Sequence, residues 1–234
     1  MSDTTNYKTN NKQLLIFDFD GTLIDSVPDL ADATNTMLEQ LGKPTHSLTT
    51  IKEWVGNGSR LLIERALVGK TEVLEGELTS AEADHAEQLF FDAYKNIPNS
   101  KTVAYPDVDA GLRQLKEAGF TLALVTNKPI RFVPKILESF GWTALFSDVL
   151  GGDSLPVKKP DPAPLLQVCK TLNFEPIQAY MIGDSINDIS AGKNANIDTL
   201  ALSYGYNYGK DIRDSQPNQA FDNFANLLKY LLKK

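Results

Sequence analysis

The sequence predicts an α/β fold, in which helices cover both faces of a parallel β-sheet and an all-α helical cap is inserted after the first strand. Two patterns predict it. Short apolar runs alternate with stretches of helical periodicity over most of the 234 residues, as expected when helices connect parallel strands. Residues 27–94 break this alternation because they show helical periodicity alone, which is typical of an inserted helical domain.

The strands of the core are predicted from apolar runs that turns or helices bound. These runs are residues 14–17, 121–125, 148–150, 179–182 and 199–202. Helices are predicted in the intervals between the strands. One covers residues 107–118, where Gly119 stops it, and another has Pro129 in its first turn and ends before Gly141.

The cap is predicted to contain three helices. The first, 28–41, ends at Gly42, and the second, 59–68, follows a Gly-Asn-Gly turn. The third runs to residue 94 and opens with a capping box formed by Thr79 and Glu82.

The predicted domain boundaries follow from these elements. Residues 1–24 and 97–234 form the α/β core and residues 25–96 form the cap. The stretch 96–101, rich in Asn, Ser and Pro, is the predicted linker back to the core. An amphipathic stripe over residues 221–231 predicts a terminal helix that packs on the core.

Composition argues against several classes of protein. The net charge is −7 and no long cluster of Lys and Arg occurs, so a nucleic-acid partner is not expected. No run approaches the roughly 20 apolar residues that cross a bilayer, and residues 1–12 are too polar for a signal peptide. Cys169 is the single cysteine, which excludes an internal disulfide. We therefore expect a cytoplasmic protein without a membrane partner.

Two carboxylates directly follow the first predicted strand, in the sequence Asp18-Phe19-Asp20-Gly21-Thr22. Residues i and i+2 of an extended chain project to the same side, so Asp18 and Asp20 face one site. In open α/β sheets this site lies at the carboxyl ends of the strands. Two carboxylates in one pocket repel each other and favour a hard divalent cation such as Mg²⁺. The alternative is a solvated acidic turn, whereas the glycine spacing disfavours an EF-hand.

Thr126 and Asn127 follow the second predicted strand of the core. They place a hydroxyl and backbone amides at a strand end, and a helix beginning near Pro129 would direct its positive N-terminus to the same place. This arrangement suits a phosphate, although threonine is also common as a plain helix cap.

Lysines and carboxylates occupy the two remaining strand ends. Lys158 and Lys159 precede Pro160 and offer a cation on stiff backbone, or else a solvated pair of charges. Asp184 follows another apolar strand, and Asp188 lies four residues later on the same helical face. The alternative interpretation is an N-cap followed by a surface carboxylate. Four strand ends at one edge of the sheet thus supply carboxylates, a hydroxyl and a lysine.

The order and spacing of these motifs resemble the haloacid dehalogenase-like phosphohydrolase superfamily, whose core is a Rossmann-like sheet. The resemblance covers nearly the whole chain apart from the polar residues 1–12. It is carried by DxDGT at 18–22, VTN at 125–127, KP at 159–160 and GDSxND at 183–188. Within the superfamily, bacterial phosphoglycolate phosphatases are similar at segments 25–30, 54–58, 126–129 and 159–165.

The resemblance implies a phosphatase that hydrolyses a small phosphorylated metabolite, with 2-phosphoglycolate as the expected substrate. Asp18 would be the nucleophile that forms an aspartyl-phosphate, and Asp20 would act as general acid and base. Thr126, Asn127 and Lys159 would hold the phosphoryl oxygens.

The same resemblance implies Mg²⁺ as the cofactor. Asp18, the backbone carbonyl of Asp20 and Asp184 would be its ligands, with Asp188 as a further ligand or an orienting residue. Lys158 could replace Lys159 at the phosphate, but only Lys159 directly precedes the proline.

The cap is expected to choose the substrate, because the core contacts only the phosphoryl group. Residues 56–60 are the candidate loop: glycines such as Gly58 permit close backbone approach, and Arg60 could pair with a substrate carboxylate. The alternative is a turn between helices with Arg60 on the surface. The tyrosine-rich residues 204–208 are predicted to form a loop near the active site.

The same residues disfavour several other functions. A dehalogenase has no need of Asp20, a phosphomutase would carry a histidine on the helix after Ser26, and a phosphonate hydrolase would want a cap lysine for a Schiff base. A sugar phosphatase stays open. A non-catalytic metabolite sensor would not require both a nucleophile and a general acid. The expected oligomeric state is a monomer or a homodimer.

Overall fold

The computed structural model describes residues 12–97 and 101–233. Residues 1–11, 98–100 and 234 lie outside the described residues; they include most of the polar segment 1–12 and half of the predicted linker. A parallel sheet with helices on both faces carries an inserted group of helices, as the sequence predicts. In the two described ranges, no helix combines the length and the apolar character that a membrane span needs.

The described residues form eight strands and nine α-helices. The strands are β1 (Leu14–Phe17), β2 (Ile24–Asp25), β3 (Val103–Ala104), β4 (Thr121–Val125), β5 (Phe146–Leu150), β6 (Ala179–Gly183), β7 (Asp198–Leu202) and β8 (Gln219–Phe221). The helices are α1 (Val27–Gln40), α2 (Leu48–Lys52), α3 (Ser59–Val68), α4 (Ser80–Asn96), α5 (Val108–Glu117), α6 (Val133–Ser139), α7 (Ala163–Thr171), α8 (Ile186–Asn194) and α9 (Phe224–Leu231). All five predicted core strands are present. The strands β2, β3 and β8 and the helix α2 were not predicted from the sequence, because each is too short to show a clear periodicity.

The central sheet has the strand order β5-β4-β1-β6-β7-β8, and all its strands are parallel. The strand β1 lies in the middle of the sheet. Its last residue, Phe17, pairs with Leu124 on one side and with Ile182 on the other. The carboxyl ends of β4, β1 and β6 therefore lie level with each other, so that the residues after them meet at one edge.

The side chains of β1 alternate between two apolar layers, one on each face of the sheet. Leu15 and Phe17 pack in the layer that contains α5, α6 and α9. Leu14 and Ile16 pack in the layer that contains α7 and α8. The predicted terminal helix is confirmed, since Phe224 of α9 is buried in the first layer. A strand that is buried on both faces fixes the position of the residues that follow it.

The helices α1 to α4 enclose a separate apolar cluster, and we call this group the cap. The long helices α1 and α4 pack along each other and bury Met37 and Phe90 between them and their neighbours. The strands β2 and β3 pair antiparallel, with Ile24 opposite Ala104, and join the chain where it enters and leaves the cap. The domain boundaries at residues 25 and 96 stay a prediction.

We expect the substitution Leu124→Ala in β4 to lower the free energy of unfolding by about 2–5 kcal/mol, because it leaves a cavity in a packed layer. Leu124 is 0% exposed. Urea unfolding followed by circular dichroism measures the change. The control is Leu48→Ala, since Leu48 is 51% exposed and its truncation should cost at most about 0.5 kcal/mol. Equal effects of the two substitutions would contradict this arrangement of the sheet.

Candidate active site

Asp18 follows the last residue of β1 and lies at the centre of the site. Its backbone N–H donates to the carbonyl of Ile182 at 2.9 Å, which extends the pairing with β6 by one residue. Asp20 follows two residues later, and Gly21 then turns the chain with a φ of 91°. A side chain at Gly21 would collide with the carboxylate of Asp184. The turn thus needs glycine both for its backbone conformation and for the approach of Asp184.

Lys159 is the cation that faces Asp18. Its Nζ lies 2.8 Å from Oδ1 of Asp18 and 2.6 Å from Oδ1 of Asp188, and its side chain is 2% exposed. Lys158 is only partly buried, and its ammonium lies against Gly58 of the cap. Of the two lysines left open by the sequence, the structure brings Lys159 to Asp18.

The carboxylates of Asp18, Asp184 and Asp188 converge, with one oxygen of each within 4.8 Å of the others. Burial raises the pKa of Asp18 to about 7, although the ammonium of Lys159 opposes this change. Burial and the charges of Asp18 and Asp188 also raise the pKa of Asp184 well above its ordinary value. A hard divalent cation would relieve this repulsion through oxygen ligands. The three carboxylates therefore fit Mg²⁺, whereas the side chain of Asp20 is outside their cluster.

Hydrogen bonds hold two of these carboxylates in place. Asp184 accepts from the hydroxyl of Thr22 at 2.5 Å and from the backbone N–H of Tyr206 at 2.7 Å. Oδ2 of Asp188 accepts from the backbone N–H of Ser185 at 3.0 Å and from its hydroxyl at 2.8 Å, which caps the start of α8. Asp188 is thus fully buried rather than a surface carboxylate. The contact of Tyr206 places the predicted tyrosine-rich loop at the site.

Asp20 has its own pair of donors. It accepts from the hydroxyl of Ser26 and from the ammonium of Lys128, whose Nζ lies 3.0 and 3.2 Å from its two oxygens. Burial lowers the pKa of Lys128, but the charge of Asp20 outweighs this effect and the pKa is raised. Lys128 is therefore charged, and it holds the Asp20 carboxyl group in one orientation. This contact was not predicted from the sequence, because no spacing rule connects Lys128 to a residue 108 positions away.

Thr126 and Asn127 follow β4 and line the same cavity as Asp18. The hydroxyl oxygen of Thr126 accepts from the backbone N–H of Lys128 at 3.2 Å, so its own hydrogen is free to be donated. The side-chain amide of Asn127 donates to the carbonyls of Gly56 and Lys159 at 3.0 and 2.9 Å. This side chain therefore ties the cap to the lysine segment.

The helical segment after β4 begins with a 3₁₀ turn instead of an α-helical turn. Residues Ile130–Phe132 form a 3₁₀ turn, and α6 starts at Val133 rather than near Pro129. The N–H of Ile130 donates to Oδ1 of Asp153 at 2.7 Å. The helical segment that continues into α6 therefore begins directly after Pro129, near the predicted position, but its first N–H is already bonded to a carboxylate.

The loop that joins α2 and α3 approaches the core. The carbonyl of Gly56 accepts from the side chains of Asn127 at 3.0 Å and Asn187 at 3.2 Å. Asn187 also donates to the hydroxyl of Tyr208 at 2.7 Å. Gly56 and Gly58 both line the cavity, which is the position expected for Gly58. Hydrogen bonds from two core elements thus hold this loop over the site.

Arg60, in contrast, is not brought to the site. Its guanidinium lies 2.8 Å from Glu64, 2.6 Å from Asp84 and 3.3 Å from Glu87. Three carboxylates of the cap therefore already surround this charge, and Arg60 does not line the cavity. The structure gives no support to the predicted pairing of Arg60 with a substrate.

A cavity of about 40 Å³ lies between the core and the cap. Charged and polar side chains line one part of it and apolar side chains line another. The polar lining residues are Asp18, Asp20, Ser59, Tyr94, Thr126, Asn127 and Lys128. The apolar ones are Leu30, Val55, Leu62, Phe90, Pro129 and Phe132, and the glycines Gly56 and Gly58 complete the lining. The cavity can therefore hold a small ligand with one charged end.

Comparisons with a family model and with known sequences agree on one family. The model of the haloacid dehalogenase-like hydrolase family matches residues 15–202. A protein of Psychrobacter arcticus named phosphoglycolate phosphatase is 72% identical over 223 residues, which are 95% of this chain and 97% of the relative. A protein of Colwellia psychrerythraea with the same name is 48% identical over 94% of this chain and 97% of its own.

A solved structure agrees with the sequence relatives. The crystal structure of a predicted phosphoglycolate phosphatase from Haemophilus somnus superposes with a TM-score of 0.87 and is 41% identical. The match covers 94% of this chain and 98% of that one. The core and the cap therefore both have counterparts in that structure.

The acidic cluster predicts a magnesium effect on stability. We expect saturating Mg²⁺, at about 100 times its Kd, to stabilise the wild-type protein by about 2.7 kcal/mol. In Asp184→Asn, this stabilisation should be lost, and the metal-free protein should become more stable because one of three repelling buried carboxylates is gone. Thermal unfolding in EDTA and in Mg²⁺ measures both effects. Asp214→Asn changes an exposed carboxylate and should respond to Mg²⁺ like the wild type. An undiminished response of Asp184→Asn would contradict the assignment.

Proposed function

The chain belongs to the haloacid dehalogenase-like hydrolase family, and on that premise we propose that it is a magnesium-dependent phosphatase that hydrolyses 2-phosphoglycolate to glycolate and phosphate. One observation carries the proposal. The buried carboxylate of Asp18 lies 2.8 Å from Nζ of Lys159 and lines a cavity that also contains Asp20. A nucleophile, a cation for the phosphoryl oxygens and a separate acid are the groups that hydrolysis of a phosphate ester uses.

In the proposed first step, a carboxylate oxygen of Asp18 forms a bond to phosphorus and the bond to the ester oxygen breaks, which gives an aspartyl-phosphate. Asp20 donates a proton to the departing oxygen. In the second step a water molecule attacks the phosphorus, Asp20 takes its proton, and phosphate and free Asp18 are released. The hydrogen bonds of Ser26 and Lys128 support this role, because they hold the Asp20 carboxyl group at the cavity before substrate arrives.

Lys159 and Thr126 would hold the phosphoryl oxygens. The ammonium of Lys159 also bonds to Asp188, so it is fixed in position before the substrate binds. Both oxygens of Asp188 are engaged, by Lys159 and Ser185, which favours a role in orienting the lysine. Mg²⁺ held by Asp18 and Asp184, with Asp188 beside them, would supply further positive charge to the phosphoryl group.

Two observations support 2-phosphoglycolate as the substrate. The relatives described above, including one that is 72% identical, are named phosphoglycolate phosphatase. The cavity is small, at about 40 Å³, so a sugar would require a larger separation of the cap from the core than a two-carbon leaving group would. A sugar phosphatase or phosphomutase is therefore the weaker candidate. We further propose a cytoplasmic monomer or homodimer, and the free, buried Cys169 agrees with a reducing compartment.

A panel of phosphate monoesters tests the activity and the nucleophile. We expect phosphate release from 2-phosphoglycolate in Mg²⁺, with kcat/KM at least about ten-fold above that for glucose 6-phosphate, and none in EDTA. Asp18→Asn should lose on the order of 10³-fold or more in kcat, and acid-quenched mass spectrometry should detect phosphorylated protein in the wild type alone. No release from any ester would reject the phosphatase. A preference for the sugar phosphate would reject the substrate, and near wild-type turnover by Asp18→Asn would reject the nucleophile.

The two adjacent lysines provide a matched pair of variants. Lys159→Met should lower kcat on the order of 10²-fold or more, because the phosphoryl group loses the ammonium that faces Asp18. It should also lower the midpoint of thermal unfolding, since Asp18 and Asp188 lose their buried counter-ion. Lys158→Met should change kcat less than about three-fold, because Lys158 forms no ion pair among the described residues. Similar effects of the two substitutions on kcat would contradict the assignment of Lys159 to the phosphoryl group.

A further inference from the structure

Three polar side chains that line the cavity take no part in the steps above: Ser59, which is partly exposed, Asn127, whose amide bonds to Gly56 and Lys159, and Tyr94. Asp18, Asp20 and Thr126 act on the phosphoryl group or on the ester oxygen, and Lys128 acts only through Asp20. Tyr94, in the last turn of α4, lines the same cavity and has no task. A polar side chain left over inside a substrate cavity is a candidate for contact with the rest of the substrate.

The hydroxyl of Tyr94 is buried and finds no acceptor for its hydrogen among the described residues. Tyr94 as a whole is 3% exposed, and buried hydroxyls without a partner are rare because they lose water and gain nothing. Its ring is held rigidly, stacked on Phe90 at 5.8 Å and edge-on to Phe132 at 4.9 Å. Burial raises the pKa of Tyr94 although the charge of Lys128 opposes the change, so the phenol keeps its proton. It is therefore a fixed donor that lacks an acceptor.

Lys128 lies beside this donor. Its Nζ is 5.0 Å from the centre of the Tyr94 ring and bonds to both oxygens of Asp20. An ammonium has three N–H groups; the two oxygens of Asp20 accept from Lys128, and a third N–H remains on the side of the Tyr94 hydroxyl. One N–H of Lys128 and the hydroxyl of Tyr94 are thus two neighbouring donors next to the acid that protonates the ester oxygen.

We propose that Tyr94 and Lys128 bind the carboxylate of the leaving group and thereby make the enzyme prefer 2-phosphoglycolate to esters without a carboxylate. The proposal rests on the proposed function. In 2-phosphoglycolate a single methylene separates the ester oxygen from the carboxylate. When Asp20 contacts the ester oxygen, the substrate carboxylate therefore lies close to the ammonium of Lys128, which is bonded to Asp20. Two donors match the two oxygens of a carboxylate.

The surroundings of Tyr94 strengthen such a contact. Leu30, Leu62 and Phe90 line the cavity, and hydrogen bonds are stronger where apolar side chains exclude water. Arg60, the other candidate for the carboxylate, is already surrounded by three carboxylates and does not line the cavity. The hydroxyl of Tyr94 thus replaces Arg60 as the group of the cap that recognises the leaving group.

The test compares two esters of equal length in the wild type and in Tyr94→Phe. The esters are 2-phosphoglycolate and 2-hydroxyethyl phosphate, in which a hydroxymethyl group replaces the carboxylate. We expect Tyr94→Phe to lower kcat/KM for 2-phosphoglycolate about 10- to 100-fold, chiefly through KM, as for the loss of a hydrogen bond to a charged group. The value for 2-hydroxyethyl phosphate should change less than about three-fold. The selectivity between the esters should fall accordingly.

The control is Tyr105→Phe, which removes another buried hydroxyl without a partner, at a tyrosine that does not line the cavity. It should keep the selectivity of the wild type. Neither variant should unfold at a lower temperature, since each loses only an unpaired hydroxyl. Selectivity that survives in Tyr94→Phe, or a wild type that does not distinguish the two esters, would overturn the proposal while the phosphatase stands. A wild type that hydrolyses neither ester would reject the proposed function, and this inference with it.

Discussion

The site depends on the burial of more negative than positive charge at one edge of the sheet. Asp18, Asp184 and Asp188 converge within 4.8 Å, and Lys159 is the ammonium that pairs with two of them. Burial raises the pKa of Asp18 and of Asp184, and the neighbouring carboxylates raise both further because one ammonium cannot neutralise three buried carboxylates. The fold keeps these charges together through the rigid strand ends. The surplus of negative charge is what makes the site receptive to a divalent cation.

The strands explain how such a strained cluster is maintained. The strand β1 is buried on both faces and paired on both edges, so Asp18 cannot move away from its neighbours. Asp184 follows β6 and is held by Thr22 and by the backbone of Tyr206. Repulsion between the carboxylates is thus opposed by packing and by hydrogen bonds from three separate segments. An enzyme that forms a covalent intermediate benefits from this rigidity, because the nucleophile is positioned before the substrate binds.

The sequence predicted the parts of the site that depend on strand ends. Buried apolar runs are visible in a sequence, and the residues after parallel strands must meet, so Asp18, Thr126 and Asp184 could be grouped without coordinates. Lys159 lies nine residues after the end of β5, so the strand-end rule does not account for its place in the site. The contact of Lys128 with Asp20 depends on packing between distant segments, and no local pattern reports it. The position of Arg60 had a local signal that was missed. Glu64 lies four residues later on the same helix, which is the spacing of an ion pair on a helix surface.

The distribution of charge also separates the roles of core and cap. The core supplies the ammonium groups of the site, and each of them is paired with a core carboxylate, Lys159 with Asp18 and Lys128 with Asp20. The cap neutralises its own Arg60 within its surface and presents apolar side chains, glycines and hydroxyls to the cavity. A free cation in the cap would attract the phosphoryl group at least as strongly as the carboxylate of the leaving group, because a phosphate carries more charge than a carboxylate. In the proposed arrangement the cap contributes only the neutral hydroxyl of Tyr94, and the charge of Lys128 is already paired with Asp20, which limits this competition.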